Sequence, residues 1–214
     1  MKFKLGSALV IFMVFSLQAH GQTTRQQAYW IRLYLSGKFH EKWAWRFEVD
    51  ERRLVRPDRQ LQFIVHAHLR RKMGKHWELA AGGSHSSVQE VPEWRLFQEL
   101  HVGSKMAQHW RISGRLRSEQ RWFKQPDDAW LLKYRWRGRM QIELIFLKKW
   151  RAKLSDEIMF QAGAFEQNRA YAAIERLFSN QVSLEIGYLK IYQKRASTGY
   201  FDRDILRSTL YFNF

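Results

Sequence analysis

The chain contains no cysteine, which excludes a disulfide framework, a Cys-ligated zinc site and a cysteine nucleophile. Proline is scarce as well, because the 214 residues include only Pro57, Pro92 and Pro126. Acidic residues are few, with 20 Asp and Glu against 37 Lys and Arg, which gives a formal net charge of +17. Aromatic residues make up 15% of the chain, too many for a disordered basic tail. These features favour one folded domain, or two small ones.

Long apolar runs are also missing, with one exception near the N-terminus. Lys2 and Lys4 precede the apolar segment 5–17, which is shorter than the roughly 20 residues of a membrane-spanning helix. The segment fits the apolar region of a secretory signal peptide, and Ala19 and Gly21 are the small residues of a cleavage site. The alternative is an N-terminal core helix. We predict a signal peptide over 1–21 and a mature domain over 22–214.

Alternation of apolar and polar residues runs through the rest of the chain. A period of two indicates β-strands, because successive side chains in a strand point to opposite faces. The clearest runs are 29–36, 43–50, 61–70, 130–143 and 206–214, and weaker ones are 77–86, 94–104, 110–121, 150–161, 169–177 and 182–192. Most of these eleven candidate strands are long enough for the 9–11 residues of a tilted membrane strand.

Two architectures fit this pattern, a soluble β-sandwich and a membrane β-barrel. Three features favour the barrel: the length of the strands, the few prolines lying only between strands, and a chain that ends on an alternating aromatic strand. We predict an all-β, antiparallel up-and-down transmembrane β-barrel of about 10–12 strands. Single-chain bacterial barrels generally have an even strand number. Either segment 29–36 is therefore not a wall strand, which gives ten, or two strands have been counted as one, which gives twelve.

The connections between candidate strands have two predicted lengths. Tight turns are expected near 37–42, 73–76, 105–109, 146–149 and 179–181, and longer polar connections at 52–59, 85–93, 123–128, 163–167 and 194–202. Four of the tight turns end in Lys or His followed by tryptophan, at Trp43, Trp77, Trp110 and Trp150. Aromatic residues at one end of the strands are typical of the girdle at a membrane interface, so outer-membrane lipids are the expected surroundings.

The C-terminal segment RSTLYFNF resembles the assembly signal of Gram-negative outer-membrane proteins, with Phe214 at the terminus and Phe212 two positions before it. Thr209 stands where that signal usually has glycine. More broadly, YWIRLYLSGKFHEKWAWRFEVDERR, DEIMFQAGAFEQNRAYAAIERLF and VSLEIGYLKIY resemble the outer-membrane barrels of domain of unknown function 2490, over nearly the whole mature chain. The resemblance implies an outer-membrane location and the barrel-assembly machinery as a partner. It offers no established activity or catalytic residues.

Charged residues concentrate on the strand faces opposite the apolar ones, which a barrel turns towards its lumen. The expected basic residues of the lumen are Arg111, Arg115, Arg117, Arg121, Lys133, Arg135, Arg137 and Arg139. The expected acidic residues are Glu48, Asp50, Glu78, Glu99, Glu157, Glu175 and Glu185. Basic and acidic walls predict either ion pairs that fill the interior or a narrow path for small anions. Nucleic acid is not an expected partner, because an enclosed basic stripe cannot reach a duplex.

Two other chemistries deserve comparison with this interpretation. A lipid hydrolase or acyltransferase could use the segment GGSHSSVQE, which contains Ser84, His85, Ser86, Ser87 and Glu90. A metal could be bound by the histidines His66, His68 and His101. We predict no catalytic residue, metal site or cofactor, and we expect a structural or narrowly permeative barrel. The lipid-modifying enzyme remains the alternative.

Overall fold

The computed structural model describes residues 24–88, 91–195 and 199–214, so the predicted signal peptide and Glu90 lie outside the described residues. The described chain forms eleven β-strands. They are β1 (Thr24–Lys38), β2 (Trp43–Leu54), β3 (Arg59–Lys72), β4 (Trp77–Val88), β5 (Val91–Lys105), β6 (Trp110–Lys124), β7 (Trp130–Leu147), β8 (Trp150–Gln161), β9 (Ala164–Leu177), β10 (Val182–Arg195) and β11 (Gly199–Asn213). No helix within these ranges is long and apolar enough to cross a membrane.

The strands close into a single barrel, which confirms the all-β barrel prediction. Each strand pairs antiparallel with the next along the chain, and β1 closes the ring by pairing in parallel with β11. Within the closing pair, Leu33 lies opposite Leu210 of β11 on one side and opposite Val49 of β2 on the other. Segment 29–36 is therefore a wall strand. Eleven strands fall within the predicted range of 10–12, but both even-numbered alternatives are wrong, because a parallel seam accommodates an odd number.

The connections are short at both ends of the barrel, so the predicted contrast in their lengths is wrong. Residues 39–42, 73–76, 106–109, 148–149 and 178–181 connect strands at one end, which we call the turn end and which also holds Phe214. At the opposite end, the described connections are 55–58, 125–129 and 162–163. The strands continue into segments that the sequence assigned to loops, because polar inward side chains bond to one another there. Ser86, for example, donates to Glu93 across the β4–β5 pair.

The distribution of side chains is the reverse of that in a soluble β-sandwich. Large apolar side chains lie on the outside of the barrel, and Leu116, Trp136 and Leu206 are each about 61–62% exposed. Charged side chains lie inside, where Asp50 and Glu119 are at most 1% exposed. An apolar exterior around a polar interior is the arrangement that lipid surroundings require. A protein in water would instead bury most of its large apolar side chains.

Aromatic side chains encircle the barrel near both of its ends. Trp43, Trp77, Trp110 and Trp150 are the first residues of β2, β4, β6 and β8, so all four lie at the turn end. A second group, which the sequence analysis did not single out, lies at the opposite end and includes Trp94, Trp122 and Trp130. Trp110 and Trp122 stand at opposite ends of β6. At about 3.3 Å per residue and a tilt of about 45°, they are separated by roughly 28 Å along the barrel axis, close to the apolar band of about 25 Å in outer-membrane barrels.

Candidate functional site

The lumen contains a cavity of about 480 Å³. Its lining residues come from ten of the eleven strands, every one except β4. On β10 the lining extends from Glu185 to Gln193, within a strand that covers Val182–Arg195. The cavity therefore follows most of the length of that wall.

Cationic side chains dominate the lining of the cavity. The arginines are Arg32, Arg46, Arg52, Arg95, Arg115, Arg117, Arg135, Arg137, Arg139, Arg169, Arg203 and Arg207. Lys153 makes thirteen cations, and the only lining carboxylates are Glu48, Glu157 and Glu185. Seven of the arginines lie outside β6 and β7 and were not singled out from the sequence. The alternation could have found them, since Arg46 and Arg52, for example, share the face of Glu48.

The eight basic residues expected in the lumen divide into three groups. Arg115, Arg117, Arg135, Arg137 and Arg139 line the cavity. Arg121 is buried beside it and donates to Glu93 at 2.6 Å. Arg111 and Lys133 lie away from the cavity, near the ends of their strands. Arg111 approaches Glu143 at 3.4 Å, and the Lys133 ammonium lies 5.5 Å from the centre of the Phe123 ring.

The seven acidic residues expected in the lumen all contact basic side chains. Glu48, Glu157 and Glu185 line the cavity, and their basic partners include Arg32, Arg137 and Lys153. The other four have contacts as follows: Asp50 with Arg32 at 2.8 Å and Arg52 at 2.6 Å, Glu99 with Arg115 and Arg117 at 3.2 Å, Glu175 with Lys153 at 2.8 Å, and Glu78 with Arg70 at 2.5 Å.

A continuous ion-pair network covers the β5–β8 side of the lumen. At its centre, the Glu119 carboxylate accepts contacts from Arg135 at 2.5 Å, Arg117 at 2.7 Å and Arg137 at 3.0 Å. Arg137 also contacts Glu157 at 2.8 Å and so extends the network to β8. Bidentate and shared contacts of this kind hold guanidinium groups in fixed orientations. The network therefore makes this wall rigid.

Aromatic rings inside the barrel support several of the buried arginines. Arg117 lies 3.7 Å from the centre of the Phe97 ring, and Phe97 is completely buried. The ring fits because Gly82 of β4 has no side chain: a Cβ there would lie 2.5 Å from the ring and 2.2 Å from the Ala67 carbonyl oxygen. Arg207 stacks on Tyr171 at 3.6 Å in the same manner. Cation–π contacts of this kind stabilise arginines that are shielded from water.

Two lumenal arginines make no direct ion pair. Within the described residues, the guanidinium groups of Arg46 and Arg139 contact no carboxylate. Arg46 lies 5.2 Å from the centre of the Tyr34 ring. Arg139 lies within electrostatic range of Arg115, Glu157, Tyr34 and Glu99. Both arginines line the cavity, so their charges face the space that a solute would enter.

The segment proposed for lipid hydrolysis lies on β4, where the pleat separates its residues. Ser84 and Ser86 face the lumen and are 4% and 1% exposed. His85 faces outward, with its ring 4.5 Å from that of Trp94. His85 and the two buried serines therefore lie on opposite faces and do not meet. Ser87 shares the face of His85, but no acidic partner joins these two among the described residues. The structure therefore does not support the enzyme interpretation.

The three histidines considered as metal ligands lie on the lumenal side of β3 and β5. The rings of His66 and His68 are 5.8 Å apart, and both lie close to Phe97. His101 is engaged by Glu99 at 2.9 Å. Among the residues described, no group of three or more His, Asp or Glu side chains is arranged to hold a metal ion.

The C-terminal residue lies at the seam between the first and last strands. Phe214 follows the last residue of β11, and its backbone N–H donates to the Ser36 carbonyl of β1 at 2.8 Å. Its ring is 72% exposed and stacks on that of Trp45 at 6.3 Å. Phe212 lies within the seam, opposite Leu35.

The sequence matches the family described as protein of unknown function DUF2490 over residues 27–202, and the chain belongs to that family. Among solved structures, it is similar to the NanC porin, with a TM-score of 0.57, 10% identity, and coverage of 87% of this chain and 97% of the porin. It is also similar to a bacterial polysaccharide outer membrane secretin, with a TM-score of 0.51, 6% identity, and coverage of 81% of this chain and 63% of the secretin. No curated protein sequence matches it.

Proposed function

We propose that the protein is a porin-like barrel of the outer membrane whose arginine-lined lumen conducts small anions. The observation that carries this proposal is the composition of the cavity wall, with thirteen cationic side chains against three carboxylates. Rings of charged side chains determine the sign of the ions that a pore accepts, and arginine and lysine favour anions. A cation entering this lumen would meet repulsion along most of its path.

The size of the solute follows from the space that the side chains leave. The cavity of about 480 Å³ is small for a barrel of eleven strands, because the ion-pair network fills the β5–β8 side. Barrels of about eight strands have interiors filled by side chains, whereas those of 16–18 strands leave an open aqueous channel. Small hydrated anions suit this space better than macromolecules do.

The outer-membrane location rests on four features that agree with one another. They are the predicted signal peptide over 1–21, the apolar exterior, the aromatic residues near both ends and the C-terminal Phe214. The similar porin and the outer membrane secretin support the same assignment. Outer-membrane lipids and the barrel-assembly machinery are then the partners. The lipids contact the exterior of the barrel, and the assembly machinery recognises the last strand during insertion.

The test is the reversal potential of the purified barrel in a planar bilayer under a potassium chloride gradient. We expect single channels whose reversal potential has the sign of chloride selectivity. Arg139→Glu should reduce that selectivity, because it reverses a charge that lines the cavity. The matched control is Arg53→Glu, since Arg53 pairs with Glu51 and Asp58 and does not line the cavity. Cation selectivity in the wild type would contradict the proposal.

The ion-pair network favours a second candidate, a barrel with a purely structural role. Glu119, Glu157 and their arginines bridge neighbouring strands and could close the lumen to ions. Folded protein that inserts into the bilayer and gives no current above that of the bare membrane would select this candidate. The same result would eliminate anion conduction.

A further inference from the structure

Arg46 and Arg139 come from opposite walls of the barrel. Arg46 lies on β2 and Arg139 on β7, which are five strands apart in one direction around the ring and six in the other. Both approach Tyr34 of β1, Arg46 through its contact with the ring and Arg139 through electrostatic interaction. Both residues line the same cavity, one from each wall.

Tyr34, which Arg46 approaches, is held in place by its neighbours on β1 and β11. Its ring stacks on that of Tyr211 at 5.1 Å with an interplanar angle of 8°. Its hydroxyl oxygen accepts a hydrogen bond from Arg32 at 3.3 Å, while Arg32 itself is fixed by Asp50. Residues of β1, β2 and β11 thus fix the orientation of the Tyr34 ring on which Arg46 lies.

The two arginines lack the neutralisation that their neighbours have. Arg115, one of the nearest cations to Arg139, contacts both Glu99 and Glu157. Neither Arg46 nor Arg139 makes a direct ion pair with a carboxylate among the described residues, although both are partly shielded inside the barrel. Glu157, which lies opposite Arg139 in the β7–β8 pair, pairs instead with Arg115 and Arg137. A shielded cation without a partner is unfavourable, and a bound anion removes that cost.

We propose that Arg46 and Arg139 form a binding site for an oxyanion, a phosphate or carboxylate group held between opposite walls of the lumen. The planar guanidinium group donates two parallel hydrogen bonds to such groups, which a spherical halide cannot accept in the same way. This inference deepens the proposed anion conduction, because it assigns to the same lumen a preferred chemical class of anion. An oxyanion at this position would stand in the path of the permeating ions.

The experiment measures binding and conduction on the same folded, full-length mature protein. Inorganic phosphate and acetate are titrated separately into detergent-solubilised barrel by calorimetry, at constant ionic strength and with chloride as the comparison ion. We expect phosphate or acetate to bind at least about tenfold more tightly than chloride. Arg46→Gln and Arg139→Gln should each weaken that binding about tenfold, since each removes one charged hydrogen-bonding group. The two titrations distinguish a phosphate site from a carboxylate site.

Two further variants keep the result interpretable. Arg139→Lys retains the charge but not the planar fork, so it should lose most of the preference for oxyanions over chloride. Arg53→Gln, outside the cavity, should leave the binding unchanged. The Gln variants should fold, because they leave no carboxylate without its partner, and heat-modifiable migration on a gel checks this.

The outcomes for the site and for conduction are separable. Oxyanion affinity that is equal in the wild type, Arg46→Gln and Arg139→Gln overturns the site, even if the barrel still conducts chloride. Oxyanion binding no tighter than chloride binding overturns it as well. If the variants weaken phosphate or acetate binding but the wild type carries no current, the site stands and anion conduction is rejected.

Discussion

Glu119 is the residue whose removal should most disturb the lumen. Its carboxylate is fully buried and lies within 3.0 Å of three guanidinium groups, those of Arg117, Arg135 and Arg137. Glu119→Gln preserves the shape of the side chain and removes the charge. The amide oxygen can still accept hydrogen bonds, but the amide nitrogen faces cations that it cannot neutralise. The three guanidinium groups then repel one another without the carboxylate that neutralised them.

The expected loss of stability follows from these contacts. Removing one member of a buried ion pair costs about 3–5 kcal/mol, because the remaining charge is left uncompensated. With an m-value of about 2 kcal/mol per molar urea, a loss in this range lowers the unfolding midpoint by roughly 2 M. Adding Arg135→Gln to Glu119→Gln should restore part of the loss, because it removes one of the stranded charges. The two substitutions should therefore be non-additive.

The assay is urea unfolding of the barrel in lipid vesicles, followed by tryptophan fluorescence and by heat-modifiable migration on a gel. The matched control is Asp128→Asn, which breaks the exposed pair with Lys124 and retains a residue type that tolerates the positive φ of 63° at this position. We expect the control to unfold at the wild-type midpoint. An unchanged midpoint for Glu119→Gln would refute the reasoning, since it would mean that water solvates these arginines.

Three further predictions concern packing, assembly and export. Gly82→Ala should lower the yield of folded barrel, because its Cβ would meet the Ala67 carbonyl, whereas at Gly83 the nearest atom is 3.5 Å away and alanine should be tolerated. Phe214→Ser should reduce heat-modifiable protein in the outer membrane far more than Asn213→Ser, and equal yields would contradict a role in assembly. N-terminal sequencing of the membrane-inserted protein should begin at Gln22, and an intact Met1 would refute the signal peptide.

The sequence correctly predicts several features because they depend on local geometry. The strand pleat turns alternate side chains to opposite faces, so apolar Leu116 and charged Arg117 could be assigned to different faces from their positions alone. The eleven runs of alternation correspond to the eleven strands. The four tryptophans that follow the tight turns are the first residues of alternate strands. They lie at one end of the barrel because every second turn reverses the chain at that end.

Strand boundaries were harder to predict where polar residues face inward. Segment 85–93 has the composition of a loop, yet β4 continues to Val88 and β5 begins at Val91. Ser86 faces a lumen that supplies polar partners such as Glu93 and Arg95. A polar segment indicates a loop when the strands of a protein bury apolar side chains. In this barrel the strands bury many polar and charged side chains, so a polar segment can also be a strand.

Only the tertiary structure decides which strands and which charges meet. The parallel pairing of β1 with β11 joins residues about 177 positions apart, such as Leu33 and Leu210, and no local pattern specifies it. Strand tilt and side-chain direction likewise bring Arg137 into contact with both Glu119 and Glu157, while Arg139 makes no ion pair although the register places it opposite Glu157. Sequence alternation fixes whether a side chain faces lipid or lumen, because that choice depends on one strand. Its partner depends on how all eleven strands close into a ring.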